Sequence, residues 1–195
     1  IPRRRLTNMA SVRRRVLGIV LLAFAAICFA QPVVLRSVLA DVGSPTPTLG
    51  DPGSLITLVP PAAVAAGSVV VVAAVAALRG GALAPRSSLV APVIGVLAGV
   101  ALGIGPGPEG ISAATVTVDG ATTFVVTGAV IGGSLAPVVL GATREDTVSL
   151  LVGTVLVLAG LSLAPAPGFA LLAGVLGGGL AIGLAWGLDA ASWAP

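Results

Sequence analysis

Polar and apolar positions segregate into long blocks along this chain. Six apolar runs stand out: Val16 to Leu35, Leu55 to Leu78, Leu89 to Gly105, Ala121 to Ala142, Thr147 to Ala164 and Phe169 to Leu188. Each is close to the roughly 20 residues that a helix needs to cross a hydrocarbon core of about 30 Å. The pattern predicts an all-α, polytopic transmembrane helix bundle of about six spans with short loops. Its organisation reads as a basic segment over 1–15, a six-helix membrane domain over 16–188 and a short tail over 189–195. The third and fifth runs are the shortest and predict upright helices or a locally thinned bilayer. Pro60 and Pro61 near the start of the second run suit a first helical turn, so the regular helix is expected to begin there.

The connections alternate in charge. The segment before the first run carries Arg3-Arg4-Arg5 and Arg13-Arg14-Arg15. The second connection carries Arg79 and Arg86, and the fourth carries Arg144. Between them, 42–54 and 106–120 hold Asp51, Glu109 and Asp119 without any Arg, and 165–168 is uncharged. Nine of ten arginines thus fall on one side, Arg36 being the exception. The positive-inside rule then predicts a multi-pass cell-membrane protein with both ends in the cytoplasm. Arg36, at the outer end of the first run, is expected to snorkel to headgroups.

Three local readings are open to test. Residues 9–30 also have the layout of a signal peptide with a cleavage position after Ala30, but the apolar run continues through Val33, Val34 and Leu35. Met9 looks like a natural start, which would leave residues 1–8 as an extension without structure. Thr115 to Val126, interrupted by Asp119-Gly120, fits either a β-hairpin or a helix capped by Asp119. The helix is favoured, because Thr127 to Ala142 alone would barely span. Thr143-Arg144-Glu145-Asp146 resembles a capping box opening the fifth helix.

Composition agrees with burial in lipid. Mean hydropathy is +1.13 and charged residues make up 9%, against about 25% in soluble domains. The net charge of +3 does not point to nucleic acid, since the arginines cluster ahead of an apolar run and no aromatics are interleaved with them. The expected environment is the bilayer, with a membrane-protein partner or a second copy of the chain as candidate neighbours. The single Cys28 lies inside an apolar run and reads as a small hydrophobe.

Chemistry-bearing residues are scarce. The chain has no His, and all ten of its basic residues are Arg. Gly133-Ser134 superficially resembles an intramembrane serine protease motif, but neither a Ser–His nor a Ser–Lys dyad can be assembled. No Asp, Glu or Arg falls in the middle of a run, so no proton path is visible. The polar groups there are hydroxyls, including Ser68, Thr127, Ser134, Ser149, Thr154 and Ser162, together with Gln31. Helical carbonyls can satisfy such hydroxyls. No catalytic, cofactor or metal site is predicted, and no enzyme activity.

Glycine spacing is the most informative internal pattern. Gly95, Gly99 and Gly103 recur every four residues, as do Gly179, Gly183 and Gly187, while Gly128 and Gly132 form a pair. Spacing of four places them on one helix face, where a second helix can approach closely. These eight residues are the candidate helix-packing sites. The shared motif in the third and sixth runs also permits a three-plus-three inverted repeat. Pro92, Pro137 and Gly177-Gly178-Gly179 are expected to kink or interrupt their spans. The leading functional expectation is a non-catalytic component of a membrane complex. A small-solute transporter or permease subunit is the alternative.

Overall fold

The computed structural model describes residues 3–41, 58–103 and 120–193. These residues form an all-helical bundle: α1 (Arg3–Asp41), α2 (Val59–Leu78), the single turn α3 (Pro85–Ser88), α4 (Val90–Gly103), α5 (Gly120–Thr143), α6 (Thr147–Leu163) and α7 (Pro167–Trp193). Helices are the natural outcome in lipid, where every backbone polar group must find its partner inside the segment. Five helical stretches are long and apolar enough to cross a membrane: Val12–Leu35, Val59–Leu78, Pro85–Leu102, Thr123–Thr143 and Pro167–Gly187. The sixth apolar helix, α6, has 17 residues, about 25 Å at the α-helical rise. The chain is therefore a polytopic membrane protein.

Several boundaries differ from the hydropathy pattern. α1 has 39 residues, about 58 Å long, and passes through its apolar centre without ending at the charges on either side. Residues 3–8, expected to lack structure, are helical. The third span is built from α3 and α4 together, with Pro85 opening the short turn. α7 runs on to Trp193, five residues into the anticipated tail. α5 begins at Gly120, which excludes a hairpin over 121–126. Asp119 and the connections over 42–57 and 104–119 lie outside the described residues.

The capping box expected at Thr143 does not form. Thr143 is the last residue of α5, and its hydroxyl donates back to the Val139 carbonyl at 2.9 Å. Asp146 is the N-cap of α6 and caps no backbone N–H with its side chain. Its carboxylate instead accepts the Ser149 hydroxyl at 2.9 Å. Only Arg144 to Asp146 separate the two helices, too short a connection for a residue of α5 to cap α6. The turn is made by Glu145 at φ 56°, with the Asp146 N–H donating to the Gly141 carbonyl. That is the wide bond of a Schellman motif. α2 ends the same way: Gly80 at φ 78° follows the last turn, and Gly80 and Gly81 donate to Ala77 and Ala76. There glycine takes a left-handed conformation without the steric penalty that Glu145 bears.

Packing is uneven. α2 and α5 are the central helices, and about two thirds of each span is buried, against 28% for α1 and for the third span. α1 leans mainly on α2, while α4, α6 and α7 all pack on α5. A three-plus-three repeat would make α1 the counterpart of α5. One is peripheral and the other central, so the packing does not repeat. Large apolar side chains such as Leu97, Leu163 and Leu180 point outward, as lipid-facing positions should.

Candidate functional site

In lipid there is little hydrophobic drive for helices to associate, so close dispersion contact between backbones carries much of the packing. The centre of this bundle is such a contact. α5 presents Gly128 and Gly132 to α2: a methyl added at Gly128 would lie 2.6 Å from Pro61 Cβ, and one at Gly132 would overlap Ala65. Gly132 also faces α7, where the same methyl would lie 2.8 Å from the Gly174 carbonyl oxygen. From α7, a methyl at Gly177 would overlap the Ala62 carbonyl, and one at Gly178 the Gly132 carbonyl. Ala170, Ala173, Ala181 and Ile182 are buried on the same side of α7. The three helices therefore come to backbone contact at these glycines, with the buried Ile131 side chain of α5 packed beside Gly174.

A second contact holds α4 to α5. Methyls added at Gly95 and Gly99 would lie 3.1 Å from the Ala129 carbonyl oxygen and 2.9 Å from Val126 Cγ2. A methyl added at Gly133 in the same interface would lie 2.9 Å from the Pro92 nitrogen. The surroundings of Gly103, at the end of α4, lie outside the described residues. Gly179, Gly183 and Gly187 are different: among the described residues nothing lies within 4 Å of a methyl added at any of them. They occupy the outward face of α7. The helix does have a packing face, built on Gly174 and Gly178 with Gly177 beside them. Those residues also lie four apart and were missed because the triplet beginning at Gly179 is the longer series. The buried Ala170, Ala173 and Ala181 in register with them were the available signal.

Most hydroxyls in the apolar spans close on their own helix. Ser68 donates to the Ala65 carbonyl at 2.8 Å, Thr127 to Thr123 at 2.8 Å, Thr154 to Leu150 at 2.7 Å and Ser162 to Ala159 at 2.9 Å. Ser134 does not. It is fully buried, and among the described residues its Oγ has no hydrogen-bond partner; the buried Gln31 Oε1 has none there either. Ser134 lies one turn before Pro137, whose ring removes the N–H that would otherwise bond the Gly133 carbonyl. Cys28 packs beside Gly67 in the α1–α2 contact, where a methyl on the glycine would lie 3.2 Å from its Cβ. Among the described residues no group of three His, Cys, Asp or Glu side chains comes together.

One end of the bundle collects the charge. Arg14 of α1 donates to the Gly80 carbonyl in the α2–α3 turn. Arg86 of α3 pairs with Asp146 at 3.5 Å, reaching across to the α5–α6 turn. Arg86 is 78% exposed, so this pair is worth at most about 1 kcal/mol. Beside Arg79 a crevice of about 390 Å³ opens between the last two turns of α2 and the start of α4.

No protein-family model matches this chain, and the searches of curated proteins and of solved structures return no significant similarity.

Proposed function

We propose that this chain is a non-catalytic subunit of a membrane complex, set in the cell membrane with both ends of the chain in the cytoplasm. The observation that carries the reading is the direct backbone contact of α2, α5 and α7 around Gly132, Gly177 and Gly178. A carrier needs a path near its centre, and here the centre is closed by main chain at these glycines and by buried side chains such as Ile131 and Val69. The absence of His and the confinement of Asp, Glu and Arg to the ends of the spans point away from proton-coupled chemistry. Orientation rests on the gathering of Arg14, Arg79, Arg86 and Arg144 at one end, which the positive-inside rule assigns to the cytoplasm.

A permease subunit is the second reading. The crevice between α2 and α4 favours it, although its lining reaches only from Arg79 to Val71 along α2. Purified protein in liposomes distinguishes the two. The scaffold reading expects uptake of small solutes at the level of protein-free liposomes, with or without a pH difference. Uptake well above that level would overturn it. Orientation is tested separately with single cysteines at Ser87 and Gly168 in a Cys28→Ala background. An impermeant maleimide added to intact cells should label the Gly168 position and spare the Ser87 position. The reverse pattern would invert the assignment.

A further inference from the structure

We propose that the crevice between α2 and α4 binds one anionic phospholipid of the arginine-side leaflet, its phosphate on Arg79 and an acyl chain along α2. The shape fits a single leaflet. The lining runs along α2 from Arg79 to Val71, eight residues or about 12 Å of helix. Half of a hydrocarbon core is about 15 Å. The crevice thus begins at the headgroup level and stops short of Ser68, near the middle of the helix. Its volume of about 390 Å³ lies in the range of roughly 300 to 1,000 Å³ that small-molecule sites occupy.

The lining changes character along that depth, as a phospholipid does. Val71, Val75 and Ala76 of α2 and Val90 and Ile94 of α4 line its apolar part. These side chains are partly or well exposed, so the wall is open to lipid rather than sealed in the core. At the mouth stand Arg79 and Ser87, both exposed. Arg79 has no acidic partner among the described residues, whereas neighbouring Arg86 is engaged with Asp146. A free guanidinium over an apolar slot is complementary to a phosphodiester carrying acyl chains, and its fork suits phosphate oxygens. Ser87 now donates to the Ala84 carbonyl at 2.9 Å, and its hydroxyl can rotate toward a headgroup oxygen.

Native mass spectrometry of the intact protein, equilibrated with phosphatidylglycerol or with phosphatidylcholine of identical chains, tests this. One phosphatidylglycerol should be retained in preference to phosphatidylcholine. Arg79→Gln should lower that preference about fivefold, the factor corresponding to about 1 kcal/mol per Arg near an anionic surface. Arg79→Lys should retain most of it. Arg144→Gln, at the same end but outside the crevice, should leave it unchanged. Val75→Trp should fill the slot and reduce retention of both lipids while the melting temperature holds. Equal retention of the two lipids by the unmodified protein would overturn the proposal. So would equal losses from Arg79→Gln and Arg144→Gln, which would indicate surface charge alone. Displacement of the bound lipid by glycerol phosphate at millimolar concentration would instead make the site one for free anions and would also overturn it.

Discussion

Gly95 and Gly99 of α4 share their four-residue spacing with Gly179, Gly183 and Gly187 of α7, yet the two series occupy opposite surroundings. The α4 pair sits where added methyls would press on Ala129 and Val126 of α5. The α7 triplet meets no other helix among the described residues. On α7 the close contact is made one face away, by Gly174, Gly177 and Gly178 against α2 and α5. Spacing within one helix therefore creates a smooth face without deciding that the face is used. Ala62, Ala65 and Gly132, which lack bulk at the crossing, let the backbones of α2, α5 and α7 meet there. The outward triplet is bordered by Leu176, Leu180 and Trp186, which are 45%, 72% and 43% exposed, a surface suited to lipid contact.

This difference can be broken by substitution. The largest effect should come from Gly132→Leu, because two helices bear on that position and the obstruction on the α7 side is backbone. The expected loss exceeds roughly 3 kcal/mol, the upper part of the usual range for overpacked cores. Size-exclusion chromatography in mild detergent should show little or no monodisperse protein, and a normal profile would mean that α2, α5 and α7 are further apart than described.

Gly99→Leu should be milder. Part of its obstruction is the end of the Val126 side chain, at 2.9 Å, with the Val126 Cα at 3.2 Å. A loss of about 1 to 3 kcal/mol follows, read as a lower thermal midpoint with the oligomeric state unchanged. An unchanged midpoint would place the α4 series in the same class as the outward face of α7.

A smaller effect of opposite sign is expected at Ser134. Its buried hydroxyl has no partner among the described residues, and removing such a group relieves a desolvation cost of about 1 to 3 kcal/mol. Set against the small void left behind, Ser134→Ala should raise the midpoint by a few degrees. A fall would reveal a hydrogen bond at that site.

Much of the fold was legible because lipid imposes a simple rule on sequence: uninterrupted apolar stretches of a fixed length. The rule identifies spans and is silent about helices that continue into water. Hence α1 was read as its apolar centre alone, though it runs from Arg3 to Asp41. Turn chemistry was harder to read. The Thr143 to Asp146 segment contains the right residue types for a capping box, but a three-residue connection gives Thr143 to the helix before it. The candidate packing residues were partly legible. Four-residue spacing found Gly95, Gly99, Gly128 and Gly132. It could not choose between the faces of α7, because that choice depends on which residues α2 and α5 bring opposite.

The most direct test uses one methyl on each face of α7. Gly178→Ala and Gly183→Ala make the same chemical change, five residues apart, and both gain helix propensity, worth about 1 kcal/mol in aqueous helices. A methyl at Gly178 would overlap the Gly132 carbonyl, while one at Gly183 meets nothing among the described residues. Thermal unfolding of the two variants in the same detergent should give a clear fall in midpoint for Gly178→Ala and no fall for Gly183→Ala. Equal midpoints, or a fall at Gly183 alone, would contradict a bundle closed by α2, α5 and α7.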